Sequence, residues 1–511
     1  MTAAPVQTEQ ADLVVVGGGP AGSSIASFVA MQGHRVVLLE KEHFPRYQIG
    51  ESLLPGTVHG ICRLLGVTEE LEKCAFPVKR GGTFRWGTNP VPWNFNFALS
   101  PTFPAPTATA YQVERMKFDD ILLRNAQRLG VDVREGVNVV DVISDEERVR
   151  GIRYTDADGT EHVIESTFLA DASGNTGRIH RHIGGERHYS DFFKNIAMFG
   201  YFEGGKRLPA PTSGNILCAA FDEGWFWYIP LSDTLTSVGA VISREHADRL
   251  RGDSEAALLG LIDRCEIIKE HLSDATRVTE GVYGEIRTRK DYSYSHDRFW
   301  RPGMFLVGDA ACFIDPVFST GVHMATYSAL LAARSVNTAL AGTLSEEEVF
   351  TEFDRRYRRE YGTFYEFLSS FYDMQVNEDS YFWQARKVTN MPVTDVEAFT
   401  TLVAGGHSGE AVLTDADGVI HGFQESTRTL TEAVERTSTM QAADDGRMFP
   451  LFNTQIVRGI MSGSNQELTR DALGERMLEE PLFDDGLVAT ADALHWTTPV
   501  PAQDGTPVAA R

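Results

Sequence analysis

An α/β fold carrying a second, antiparallel sheet is predicted for this 511-residue chain, on three observations. Four apolar residues, Leu13-Val14-Val15-Val16, run into Gly17-Gly18-Gly19-Pro20-Ala21-Gly22, the pattern of a buried parallel strand turning tightly into a helix. Between Asn195 and Ser243 several short alternating strands follow one another without long helices, which reads as an antiparallel sheet. A further apolar strand, Met304-Phe305-Leu306-Val307, ends in Gly308-Asp309 and returns the chain to the first sheet, after which helical patterns dominate.

The first element is a pyrophosphate cradle. Gly17 permits the turn, Gly19 lets backbone approach phosphate, Gly22 lets the helix pack near the strand, and the helix start supplies unpaired N–H groups. The second strand, Arg35 to Leu39, ends in Glu40, 18 residues past Gly22, where a carboxylate can accept hydrogen bonds from a ribose diol. A loop punctuated by glycine and proline (Phe44 to Pro55) leads through a short helical pattern to Arg80–Ala110, which is rich in aromatics and is no plain linker. A helix over Val113–Arg124 and a strand at Val131–Val133 resume the first sheet, and a hairpin around Gly151 and Gly159 delivers the strand Phe168 to Asp171. The strands expected next are Ile196–Phe202, Asn215–Phe221, Trp225–Pro230 and Ser237–Ile242. A long helix follows from about Gly321 to Ala341, and Ser345 to Glu348 is a capping box for another that reaches Tyr372. The expected boundaries are therefore 10–78, 111–190 and 296–342 for the nucleotide domain, 79–110 for the aromatic insertion, 191–295 for the antiparallel sheet, 343–495 for a helical region and 496–511 for a disordered tail.

Composition limits the function. A net charge of −24 argues against nucleic acid and anionic membrane as partners, because both attract basic surfaces. The cysteines at 62, 74, 218, 265 and 312 form no CxxC pair, so neither a disulfide framework nor a metal site is expected. With no basic leader and no apolar span of about 20 residues, the expected location is the cytoplasm.

The cradle with Glu40, the turn Asp171-Ala172-Ser173-Gly174 and Gly308-Asp309 together resemble the flavoprotein monooxygenase superfamily with the p-hydroxybenzoate hydroxylase-like fold. The resemblance spans residues 12 to about 335 and implies FAD, held by Gly17, Gly19, Pro20, Ala21, Gly22, Glu40, Arg46, Ser52, Arg115, Asp171, Gly308, Asp309, Pro316 and Gly321. Within it, Trp225-Phe226-Trp227-Tyr228-Ile229-Pro230 is similar to the WxWxIP motif of flavin-dependent halogenases, and Lys79-Arg80-Gly81-Gly82-Thr83-Phe84 to the segment carrying their essential lysine. Pro316 to Gly321 resembles their P-x-x-S-T-G segment, which implies chloride on Ser319, Thr320 and Gly321 at a helix start. Phe318 departs from the tryptophan halogenases, which have glutamate there; a phenolic substrate, already activated by its hydroxyl, lessens the need for one.

By this resemblance the enzyme takes reduced FAD from a separate flavin reductase and uses O2 and chloride to make a hypochlorous acid equivalent. Lys79 directs that oxidant at an electron-rich aromatic, free or tethered to a carrier protein, in secondary-metabolite biosynthesis. Trp225, Trp227 and Phe318 would line the substrate channel, with Tyr381, Phe382 and Trp383 as further candidates and Glu51 and His323 as polar neighbours. Three other readings stay open: a flavin hydroxylase, a reductase of isoprenoid chains, and a flavin-binding scaffold. Arg355-Arg356-Tyr357-Arg358-Arg359 reads as a solvated helix face or as a dock for an acidic carrier.

Overall fold

The computed structural model describes residues 8–86, 92–290, 293–373, 395–408, 410, 413, 481–483 and 485–499. Tyr381, Phe382, Trp383 and the tail beyond 499 lie outside the described residues.

The first sheet runs in the order Trp300–Arg301, Met304–Leu306, Glu161–Asp171, Thr8–Val16, Val36–Glu40, Asp132–Glu135, with the hairpin strands Asn138–Ser144 and Val149–Thr155 joined to Glu161–Asp171. Its central strands are parallel, with Val16 level with Asp171 and Leu39, and Asp171 level with Leu306. Such strands are covered on both faces and need unbroken apolar runs, and Leu13–Val16 and Val36–Leu39 are fully buried. The helices Pro20–Ala30 and Thr320–Ala341 pack against each other on this sheet. All three nucleotide-binding turns therefore lie at the carboxyl ends of neighbouring parallel strands, where ligands of open α/β sheets bind.

The second sheet has the order Thr276–Arg277, Asn195–Glu203, Leu235–Ser243, Gly224–Pro230, Ile216–Phe221, Gly81–Arg85, Trp93–Asn96. The aromatic insertion is thus part of this sheet: Gly81–Arg85 pairs in parallel with Ile216–Phe221 and carries Trp93–Asn96 on its other edge. Glycine makes that pairing close, because a Cβ at Gly81 would lie 1.8 Å from the Phe95 carbonyl oxygen.

The helix Thr320–Ala341 begins one residue before its expected start, and Glu346–Asp373 is capped as expected: Ser345 Oγ accepts the Glu348 N–H while Glu348 Oε2 accepts the Ser345 N–H. Two expectations are corrected in this region. The Arg355–Arg359 run is only in part a solvated face: Arg359 is exposed, Arg355 and Arg358 are half-buried, and Arg356 is buried. Arg356 is buried between Glu352 and Glu410, Arg355 pairs with Asp485, and Arg358 pairs with Asp354. The tail also starts later than 496, since Trp496–Thr497 pairs with Val488–Ala489. Trp496 is buried, with its indole N–H on Ser335 Oγ at 3.0 Å and the Arg334 and Arg356 guanidinium groups against its ring. No helix among the described residues is long and apolar enough to cross a membrane.

Candidate active site

A cavity of about 620 Å³ opens where the two sheets meet. Gly17, Gly19, Pro20, Ala21 and Glu40 form its nucleotide end, and Trp225, Trp227, Phe199, Pro316, Ser319 and Gly321 its far end. Arg46, Ser52, Arg115 and Asp309 line the length between.

The glycine turn admits no side chain. Gly17 has φ +106°, and a Cβ there would sit 2.4 Å from the Ala172 carbonyl oxygen; one at Gly22 would sit 1.8 Å from the Gly17 oxygen. Glu40 is fixed at the end of its strand, with Oε2 accepting the Gly18 N–H at 2.6 Å and Oε1 the Glu42 N–H at 2.9 Å. Asp119 anchors both cavity arginines: Oδ2 accepts from Arg46 Nη1 at 2.9 Å, and Oδ1 accepts from Arg115 Nε at 2.7 Å. Arg115 also donates to the Ile49 carbonyl at 2.5 Å, so the 46–52 loop is clamped to the helix Arg115–Arg128. Asp119 was not singled out from the sequence, although it stands one helical turn after Arg115.

Several expected residues take other places. Asp171 does not line the cavity; Oδ1 accepts Ser173 N–H at 2.9 Å and Ser173 Oγ–H at 2.6 Å, and so shapes the turn whose Ala172, Ser173 and Gly174 do line it. Gly22, Gly308 and Thr320 lie just behind the wall, while Gly321 and Ser319, the latter left-handed at φ +61°, face it. Phe318 points away into an aromatic cluster with Phe84, Phe367, Phe371 and Phe399.

Lys79 lies on that aromatic side and not on the large cavity. It is 2% exposed, its Nζ donates to the Leu53 carbonyl at 3.0 Å, and it stands 5.5 Å from the centre of the Phe97 ring. Among the described residues no carboxylate acts on it, and burial pushes its amine down to about 7, partly offset by the neighbouring Cys218 thiol. Cys218 in turn approaches the Val317 carbonyl at 3.8 Å, which places the lysine's neighbour against the 316–321 loop.

Two buried carboxyls flank the tryptophan strand. Glu51 accepts from Tyr201 Oη at 2.7 Å and is pushed up to about 7 by burial, against the pull of Ser237, Tyr201 and Arg115. Trp227 donates to Ser237 Oγ at 3.2 Å and lies flat over Gly239, where a Cβ would come within 2.2 Å of its ring. Asp315 is likewise raised to about 7 by burial, and accepts from Tyr372 Oη at 2.9 Å. Tyr372 and Tyr201 were not found in the sequence; both are ordinary-looking tyrosines of a helix and a strand, brought to the site by packing alone. His323 is buried away from the cavity, with Nε2 3.2 Å from Glu360.

FAD fits these residues. The turn excludes a Cβ, a carboxylate ends the second strand, two anchored arginines face inward, and the buried Ser52 hydroxyl on the wall has no hydrogen-bond partner among the described residues.

Comparison with known proteins supports the same assignment. The family model described as tryptophan halogenase matches residues 12–105 and 99–426. A tryptophan 2-halogenase of Chondromyces crocatus is 36% identical over 409 residues, covering 77% of this chain and 75% of the relative. A 1H-pyrrole-2-carbonyl-[peptidyl-carrier protein] brominase of Pseudoalteromonas luteoviolacea (strain 2ta16) is 33% identical, covering 65% of this chain and 78% of that one. Among solved structures, the myxobacterial chondrochloren halogenase CndH, described as a new variant of FAD-dependent halogenases, superimposes with a TM-score of 0.73 at 53% identity, over 96% of this chain and all of that one.

Proposed function

From the premise that this chain belongs to the tryptophan halogenase family of flavin-dependent halogenases, we propose that it chlorinates a phenolic or similarly electron-rich aromatic, with Lys79 directing the oxidised halogen. The enzyme is a flavin-dependent halogenase of aromatic substrates that uses FAD and halide. Reduced FAD, when bound, supplies with O2 the two-electron oxidation of the halide.

The chain's own residues do the rest. The Gly17–Gly22 turn, Glu40, Arg46, Ser52, Arg115 and Asp309 would hold the cofactor. The helix beginning at Thr320 offers unpaired backbone N–H groups of Thr320 and Gly321 to chloride, with Ser319 beside them. The observation that carries the reading is Lys79: an amine buried against the Leu53 carbonyl, with no counter-charge among the described residues and pushed down to about 7, is available in its neutral form. A neutral amine captures hypochlorous acid as a chloramine, releasing water, or holds it by hydrogen bonding; either aims chlorine at a ring bound on the aromatic side. Apolar Phe318, where tryptophan halogenases have glutamate, supports a substrate whose own hydroxyl activates the ring.

Reduced FAD would come from a separate reductase. The pyrrole brominase acts on a carrier-tethered ring by its name, so a carrier-bound substrate is tested beside the free one. The decisive experiment mixes the FADH2-loaded protein with oxygenated buffer, with and without chloride, and traps the oxidant with a small thiol. Chloride-dependent trapping is expected in wild type and in Lys79→Ala, with halogenated aromatic formed by wild type alone. Hydroxylated aromatic formed without any dependence on chloride would instead establish a flavin hydroxylase.

A further inference from the structure

Trp225 stands between the large cavity and a packed cluster of buried aromatic rings. Its indole lines the large cavity and packs on Trp86, which meets Phe84, Phe371 and Tyr372. From Phe84 the ring contacts continue through Phe95 and Phe97 to Lys79.

One chain of hydrogen bonds fixes this indole. Trp225 Nε1–H donates to Tyr372 Oη at 2.6 Å, and that hydroxyl donates to Asp315 Oδ1 at 2.9 Å. The same oxygen accepts the Val317 N–H at 3.1 Å, so one carboxylate atom ties the indole to the loop whose Pro316, Ser319 and Gly321 face the cavity. Asp315 is fully buried, and the groups acting on it are Val317 N–H, Tyr372 and Asn195, none of them cationic. A buried carboxyl with no cationic partner among the described residues opposes folding, and an apolar residue would fill the space with less penalty.

We infer that Asp315 is a positioning residue which, through Tyr372, holds Trp225 as a fixed partition between the cofactor cavity and the packed aromatic cluster beside Lys79. The inference rests on the proposed reading, in which the oxidant forms in the cavity and reacts beside Lys79.

The full chain without FAD gives the first test, by ultraviolet resonance Raman of indole N–H hydrogen bonding, with Trp225→Phe identifying the Trp225 band among seven tryptophans. Tyr372→Phe and Asp315→Ala should shift that band toward a free indole, whereas Asp315→Asn, whose amide oxygen can accept the same bonds, should restore it. In the FAD-bound protein, phenol should quench flavin fluorescence about tenfold more effectively in Tyr372→Phe and Asp315→Ala than in wild type, as access to the flavin opens. A band that stays in place in Tyr372→Phe, equal phenol quenching in all variants, or Asp315→Asn as disturbed as Asp315→Ala each overturns the inference. Failure of the halogenase reading would show separately, as no chloride-dependent oxidant from wild type.

Discussion

The lysine and the two raised carboxyls make opposite demands on pH. Lys79 is pushed down to about 7, so between that value and its unfolded value near 10.5 the unfolded chain binds more protons than the folded one, and stability rises with pH. Replacing Lys79 by methionine, which keeps the length and removes the charge, should therefore stabilise the protein most at pH 6 and progressively less toward pH 10. The difference across that range should be on the order of 3–5 kcal/mol, measured by denaturant unfolding. Glu51 runs the other way: raised from 4.5 to about 7, it binds more protons in the folded state, so its contribution is present below 4.5 and lost as pH rises through 7. Glu51→Gln should accordingly gain stability relative to wild type at pH 8 and not at pH 4.5, while Tyr201 keeps an acceptor for its hydroxyl. A parallel pH profile of wild type and either variant would show that the group is not buried as described. In catalysis, the neutral-amine role of Lys79 predicts a halogenation rate that climbs through about pH 7, and no such limb in chloride-dependent oxidant formation.

Elements carry a second kind of prediction, because two of them meet at points where nothing can be added. Gly17→Ala would force a side chain onto a φ of +106° and against the Ala172 carbonyl 2.4 Å away, and should cost about 1–3 kcal/mol along with most of the FAD affinity, read by thermal unfolding and flavin titration. Arg356→Met should be more damaging, for a different reason: it leaves Glu352 without its 2.5 Å partner and Glu410 with one of its two arginines, Arg334, a loss of about 3–5 kcal/mol on unfolding. The first of these was legible in the sequence and the second was not. A glycine turn after an apolar strand has a local cause, so its position, its helix and Glu40 could be read from spacing. Arg356 sits in a run of four arginines that looks like any wet helix face, and only the approach of Glu410 and Trp496, far along the chain, buries it. The strand Gly81–Arg85 was hidden for the same reason, since its partner Ile216–Phe221 lies more than 130 residues away.

At the scale of the whole molecule, Lys79 lies off the wall of the cavity and is linked to it through aromatic rings and the 315–321 loop. Motif resemblance named the lysine and the cavity residues, but the partition between them emerges only when Tyr372, at the end of a 28-residue helix, reaches Trp225 and Asp315. Charge belongs to this scale as well. The chain carries −24, and in its densest basic run Arg355, Arg356 and Arg358 are already paired with Asp485, Glu352, Glu410 and Asp354, which leaves Arg359 as the exposed cation of that run. Two acidic proteins repel over the Debye length, which shrinks from about 30 Å at 0.01 M salt to about 8 Å at 0.15 M. If the aromatic arrives on an acidic carrier, kcat/KM for the tethered substrate should therefore rise as salt is raised over that range, with kcat nearly constant. The same ring offered as a free neutral molecule should show no such dependence, and sodium sulfate at matched ionic strength and fixed chloride separates screening from halide supply. A fall in kcat/KM with salt for the tethered substrate would mean that attraction guides the encounter, and would place a basic docking surface elsewhere on the chain.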